Sequence, residues 1–238
     1  MTAPAALSAV YSEMDMQAHL MTSADTGAQC AGLECLLNHA FDQRVQRLGA
    51  RLAESAYAAY PELKQRIGKF EFVVAEKAEP GTASNSSGTV VIFRGVQKLH
   101  LDEEAVAFLI AREMGHAISR HHDENSAASV LFSVVAQVLF PVANLVRGSV
   151  ALIQTASAAT TATAAAASFI GSRVMIESNK PDQMREADAI ALELLAKQGW
   201  NSHEVADALA AGKPIEGDDI WSKDLRLSAT RIGEYADN

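Results

Sequence analysis

Glu113 and His116 lie three residues apart in the stretch Ala111-Arg112-Glu113-Met114-Gly115-His116, so on a helix a carboxylate and an imidazole share one face. Two histidines four residues apart on such a face hold Zn²⁺, and a glutamate directly after the first takes the proton of the metal-bound water. Glu113 and His116 keep two of those three positions. Arg112 stands at the first ligand position. A helix surface often carries an Arg and a His, so the pattern alone also describes an ordinary solvated face. The flanking residues argue otherwise. Asp102 suits an N-cap, Glu103 and Glu104 suit the positive end of the helix dipole, and the spacing predicts a helix from about Glu103 to His121. Val106, Phe108, Leu109 and Ile110 run straight into Arg112, Glu113 and His116, which carries charged groups into the interior, where they need partners.

Two further stretches carry chemistry. Met184-Arg185-Glu186-Ala187-Asp188 sits in a pattern that predicts a helix beginning at Pro181, a first-turn residue, and stopping at Gly199. His121, His122, Asp123 and Glu124 follow His116 and read either as substitute metal ligands or as a solvated helix end whose imidazoles suit the C-terminal dipole.

The elements that must position these groups are also readable. Leu37, Phe41, Val45, Leu48 and Leu52 recur at helical spacing with charged residues between them, predicting an amphipathic helix over about Leu36–Tyr60 that Pro61 ends. Lys69–Glu76 and Thr89–Arg94 alternate and are β-branched, and the Pro80-Gly81 and Asn85-Ser86-Ser87-Gly88 clusters supply turns, so a small antiparallel sheet is expected. A short helix over about Ser202–Ala211 should begin with a capping Ser202, and Thr230–Tyr235 should be helical. Residues 1–35, rich in Ala, Ser, Thr and Met, read as a loosely held arm, and 36–238 as a single domain. Residues 126–146 and 148–172 contain no charged residue, and Arg147 stands between them. Each run is long enough to cross a bilayer. Pro141, Gln137 and Asn144 interrupt the first, and the second is Ala and Thr, so 126–172 is expected to be an apolar helical insertion of close-packed helices, with a lipid-touching flap as the other reading.

With 238 residues, 49% of them hydrophobic, the chain can bury a full core. Its net charge of −9 excludes nucleic acid and disfavours an anionic membrane surface, since both need clustered Lys and Arg. Cys30 and Cys35 fit either a small disulfide loop in an oxidising compartment or two reduced thiols in the cytosol. Met1–Leu20 lack a continuous apolar core, so the expected location is the periplasm or cell envelope if a leader preceded this numbering, and otherwise the cytoplasm.

The order strand, turn, strand, then G-V-Q-K-L-H-L-D-E-E-A-V-A-F-L-I-A-R-E-M-G-H-A-I-S-R-H-H, an apolar excursion, and M-R-E-A-D-A-I-A-L-E-L-L-A-K-Q-G-W resembles the zinc metallopeptidases that include the CAAX prenyl endopeptidases, HtpX and the periplasmic barrel-assembly-enhancing protease. The resemblance covers roughly Leu36 to Trp200. It implies an α+β, mostly helical, gluzincin-like metallopeptidase domain with a small antiparallel sheet and a long apolar helical excursion. In that family an E-x-x-x-D motif supplies the third zinc ligand and an aspartate that orients a ligand histidine. Asp188 matches the aspartate, but Met184 stands where the ligand glutamate belongs. Glu186 is two residues out of register, about 200° round the helix. The closing H-P segment of many relatives is missing, with Leu225-Arg226 at the corresponding distance. Of the metal ligands only His116 is retained, and Glu113, the family's general base, is left idle.

The resemblance therefore implies no bound zinc and a pseudopeptidase, with Arg112 pairing with Asp188 and with Glu113 in place of the metal. It implies that the substrate strand adds to a sheet edge, expected at Thr89, Val90, Val91 and Ile92, so that the protein binds a peptide, an unfolded protein or a partner subunit. A partner is expected to meet 126–172. An active metallopeptidase with a rearranged metal site and a membrane-associated docking module are the alternatives.

Overall fold

The structure, a computed structural model, describes Glu13, Met16 and residues 32–125, 180–211 and 219–236. Helix α1 (Leu33–Ala59) buries Phe41, Val45, Leu48 and Leu52, the stripe that its periodicity marks out. After the short helix α2 (Leu63–Arg66) come β1 (Glu71–Ala75), β2 (Thr82–Ser84) and β3 (Thr89–Phe93), then a 3-10 turn (Arg94–Leu99) and helix α3 (Glu103–Ile118). Helices α4 (180–197), α5 (Ser202–Ala211) and α6 (Ile220–Ala236) complete the described chain. The fold is mostly helical with one small sheet, as the resemblance implies.

The sheet itself is mixed. The two expected strands, β1 and β3, pair parallel, with Phe72 opposite Val90 and Val74 opposite Ile92. The third strand, β2, which is too short and polar to stand out from its turn-rich surroundings, pairs antiparallel to β3, with Ala83 opposite Val91. The order is β1-β3-β2. The chain leaves β1, crosses to the far side, runs back as β2 and inserts β3 between the two. Gly95 permits the crossing: its N–H donates to Lys77 O at 2.8 Å, and a Cβ there would lie 2.2 Å from the Glu79 carbonyl carbon. Thr89–Ile92 therefore lies on the central strand, paired on both sides. The expectation of a free edge at Thr89, Val90, Val91 and Ile92 is corrected, and the edges are β1 and β2.

The inner sheet face, with Phe72, Val90 and Ile92, joins the helices in one core that includes Leu48, Leu52, Phe108, Ile110, Leu194 and Leu195. On the outer face Met16 packs with Val91 and Phe93, and Asn85 Nδ2 donates to Glu13 at 2.8 Å, so two residues of the N-terminal arm dock there. Cys35 is disulfide-bonded, and the sequence holds one other cysteine, Cys30, which lies outside the described residues. Among the described residues no helix is long and apolar enough to cross a membrane. The apolar insertion 126–172 lies outside them.

Helix α3 stops at Ile118 rather than at His121. The Arg66 guanidinium donates to the carbonyls of Ala117 (2.7 Å) and Ile118 (2.9 Å), satisfying two helix-end acceptors, and Arg120 takes φ 63°. That reversal starts a new helical turn at 121–125. The end of α4 matches the expectation, since Gly199 has φ 90°. The α5 cap is Asn201 rather than Ser202: Asn201 Oδ1 accepts from the Glu204 N–H, and Glu204 Oε2 accepts from the Asn201 N–H.

Helices α3 and α4 meet closely because Gly115 has no side chain. A Cβ at 115 would lie 2.7 Å from the Ala187 carbonyl oxygen and 2.9 Å from its Cα, both backbone atoms that cannot step aside alone. Gly115→Ala is expected to lower stability by about 1–3 kcal/mol despite alanine's better helix propensity, measured by urea unfolding. A gain in stability would show that the helices separate freely.

Candidate functional site

Arg112, Glu113 and His116 project from α3 towards three different sets of partners. Arg112 is 5% exposed and Asp188, on α4, is 2% exposed. Arg112 Nε lies 3.6 Å from Asp188 Oδ1, and Arg112 Nη2 donates to Met184 Sδ at 3.2 Å. The guanidinium thus sits against both α4 positions at which the sequence reading expected a metal-site residue. Asp188 has two more partners, both from α6: Ser228 Oγ donates to Oδ1 at 3.0 Å, and Arg231 Nη2 donates to Oδ2. Arg231 was not anticipated. Its signal in the sequence is slight, one arginine three residues after Ser228 and beside Ile232, a fully buried residue of α6.

Glu113 is bonded to β2. Thr82 Oγ1 donates to Oε1 at 2.6 Å and Ser84 Oγ donates to Oε2 at 2.7 Å. No bond from Arg112 to Glu113 is found among the described residues; the expected second partner of the guanidinium is replaced by a pair of hydroxyls. Trp221 Nε1 on α6 donates to Thr82 Oγ1 at 3.0 Å, and His122 Nε2 lies 3.2 Å from Ser84 Oγ. Since the Ser84 proton is committed to Glu113, the His122 Nε2–H is the donor in that contact.

Around His116 the chain reversal at Arg120 brings a second ring. His116 Nδ1 and His121 Nδ1 are 2.9 Å apart, and His121 Nε2 lies 3.3 Å from Glu186 Oε2. Glu186 also accepts from Ser119 Oγ at 2.8 Å and remains largely solvated at the rim, while Asp188 points in, as the two-residue offset requires. His121 and Asp123 are buried and only Glu124 is exposed, so the reading of 121–124 as a solvated helix end is overturned by the turn at Arg120. Desolvation, then the Arg112 charge, holds the His116 imidazole well below its ordinary value.

Burial pushes His122 down to about 4, against an opposing pull from Glu113. An imidazole whose folded value lies below its unfolded value favours the fold while neutral. Its contribution is complete above about pH 6.5 and is lost as pH falls towards 4, because the unfolded chain takes the proton first. Stability should therefore drop by on the order of 1–3 kcal/mol over that window from His122 alone, and His122→Gln should make the profile shallower in urea unfolding at pH 7 and pH 4.5, leaving the part that His116 contributes. A wild-type profile as flat as the variant's would remove this account.

The family model for Peptidase family M48 matches residues 39–230. The chain belongs to peptidase family M48. No curated protein and no solved structure matches it. The match spans most of α1, the sheet, α3 and α4 and reaches into α6.

The donor set does not fit the zinc of M48. A catalytic zinc takes three protein ligands from imidazole, carboxylate or thiolate. The positions that the resemblance sets at the ligands, His116, Arg112 and Met184, offer one imidazole, a guanidinium and a thioether. The guanidinium keeps its charge at any ordinary pH and occupies the space beside Met184 and Asp188. Among the described residues no group of three His, Cys, Asp or Glu side chains is arranged to hold a metal ion.

Proposed function

We propose that this M48 protein is a pseudopeptidase, in which Arg112 takes the place of the metal and the outer edge of β2 captures an extended peptide or an unfolded protein without cleaving it. The observation that carries the reading is Arg112 held between Met184 Sδ and Asp188, at 3.2 and 3.6 Å, where a dication would be repelled. Glu113 fits the same reading, because a carboxylate accepting two hydroxyl protons anchors the strand and has no polarised water to activate.

The β2 edge supplies the capture surface. Phe93 N–H donates to Gly81 O and Asn85 N–H donates to Thr89 O, which fixes the phase of the antiparallel ladder. Gly81, Ala83 and Asn85 turn their backbone groups to β3, and Thr82 and Ser84 turn theirs outward. A peptide added as a fourth strand would pair with Thr82 and Ser84, the residues whose hydroxyls hold Glu113. Ser84→Pro removes one outward N–H, and Ser84→Ala removes only the hydroxyl. Capture of a fluorescent unfolded protein should be lost in the first and kept in the second. Equal capture by both would exclude the edge.

The second reading, a hydrolase with a rearranged metal site, draws on the two Nδ1 atoms at 2.9 Å, since neighbouring ligands on one metal also converge closely. Elemental analysis of the purified protein separates the two, with cleavage of an unfolded substrate compared between wild type and Glu113→Gln. Stoichiometric metal with Glu113-dependent cleavage would replace the first reading by the second. The bonded Cys35 favours an oxidising compartment, and we assign the protein to the periplasm or cell envelope on that ground. A partner subunit bound through 126–172 is the remaining element of the proposal, read by co-purification with and without that segment.

A further inference from the structure

The outer face of the sheet is covered by side chains from the far end of the sequence. Directly paired residues point to the same side, so this face is built of three rows: Glu71, Thr89 and Asn85; Val73, Val91 and Ala83; and Ala75 with Phe93. The first row is polar and the other two are apolar. Val91 and Phe93 are buried under Met16, with Ala75 and Ala83 packed around them. This cluster shares no buried residue with the main core, which takes Phe72, Val90 and Ile92 from the opposite face. Glu13, the other described residue of the arm, meets the polar row. Asn85 is buried, and its Oδ1 accepts from the Thr89 N–H and from Ser87 Oγ, both at 2.9 Å, which fixes the amide and aims Nδ2 at Glu13 Oε2, 2.8 Å away. Glu13 and Met16 are both helical and three residues apart, so they share one helix face, about 4.5 Å apart along its axis. Rows of the sheet are about 6.6 Å apart, and one helical turn therefore reaches from the polar row to the apolar ones.

The cover is partial. Val73, in the same row as Val91, is 44% exposed, and the described hold of the arm on the sheet is two side chains. Segments with so few buried contacts open at the lowest free energies in a fold. From this arrangement we infer that the outer sheet face is a docking site for an acid-bearing amphipathic helix of a partner protein, and that the chain's own arm is its tethered occupant, which the partner displaces. The site takes a carboxylate at Asn85 Nδ2 and, one turn on, an unbranched apolar side chain over Val91 and Phe93. A partner helix that reaches further towards β1 also covers Val73, and that extra burial is its advantage over the arm. A tethered occupant competes at an effective concentration on the order of millimolar, so the face is closed to weak ligands and open to strong ones. The site is separate from capture at the β2 edge, which uses the outward backbone groups of Thr82 and Ser84, and either can fail alone.

The test uses the full chain carrying Glu13→Gln and Met16→Asp, which frees the face without altering it, and a labelled peptide of residues 8–21 as the probe, read by fluorescence anisotropy. The peptide should bind the freed chain about tenfold more tightly than the wild type, whose arm competes with it. At saturation it should speed amide hydrogen exchange around Glu13 and Met16 of the wild-type chain, the mark of a displaced arm. A peptide carrying Met16→Asp should not bind. Asn85→Asp, added to the freed chain, keeps the oxygen that Thr89 and Ser87 use and replaces the donor by an anion. It should weaken the peptide about tenfold, and a peptide carrying Glu13→Lys should recover that loss, an exchange of charge that a residue merely holding the turn would not show. Because the outer cluster lies apart from the main core, the freed chain should keep the circular dichroism of the wild type. Equal affinity for the freed and wild-type chains, no binding to the freed chain up to the millimolar range, a wild-type arm that stays protected at saturation, or no recovery with the Glu13→Lys peptide would overturn the inference. So would unfolding of the freed chain, which would make the arm part of the fold and not an occupant.

Discussion

Asp188→Ala is expected to cost about 3–5 kcal/mol of folding stability, the effect of breaking a buried ion pair by removing one member. The reason lies with the partners left behind. Arg231 retains access to solvent and can turn outward, but Arg112 has nowhere to go: it is 5% exposed, its neighbours are Met184 and the α3–α4 interface, and it already lacks partners for Nε and Nη1. The Ser228 hydroxyl also loses its acceptor. Arg112→Met alone should be close to neutral or stabilising, because it removes an under-satisfied buried cation while Asp188 keeps Arg231 and Ser228. The double variant should recover at least about 1 kcal/mol of the loss, and urea unfolding of all four proteins closes the cycle. If Asp188→Ala costs less than about 1 kcal/mol, or if the two changes simply add, the two charges are not coupled across the α3–α4 interface.

What the sequence makes legible follows from which interactions are local. Helix α3 begins after Asp102, whose side chain makes no cap hydrogen bond, with Glu103 and Glu104 in its first turn, and α4 ends at Gly199 in the left-handed region, since helix-dipole and C-terminal turn effects act within one turn. The juxtaposition of Arg112 with Asp188 is legible through the resemblance, which sets Arg112 at a ligand position and Asp188 at the aspartate that faces it. The missed features depend on distant contacts. Strand β2 consists of Thr82, Ala83 and Ser84 inside a Pro- and Gly-rich loop, and its strand character comes from β3 on one side and from Glu113 beneath it. The parallel pairing of β1 with β3 depends on the chain crossing over Gly95. The turn at Arg120, which converts His121 from a surface residue into a neighbour of His116, is stabilised by Arg66 from α2, which no periodicity within α3 reveals. Arg231 reaches Asp188 from a helix 43 residues further along the chain.

Restoring the two lost ligands should restore zinc. Arg112→His together with Met184→Glu returns an imidazole four residues before His116 and a carboxylate four residues before Asp188, on helices that Gly115 already holds at close approach. Asp188 would then lie where it can accept from the new imidazole and fix its orientation, the use to which such outer carboxylates are put. The double variant should retain stoichiometric zinc after dialysis, and the wild type should retain none, as measured by elemental analysis. Metal uptake and cleavage should separate in this variant. Glu113 is held by Thr82 and Ser84, so zinc alone leaves the base occupied, and removing both hydroxyls in the zinc-bearing background should raise any hydrolysis of an unfolded substrate that appears. Stoichiometric zinc in the wild type would remove the substitution of cation by cation on which the proposed function rests. A double variant that folds and stays metal-free would show that the distance between α3 and α4 suits a guanidinium and no longer suits a metal ion.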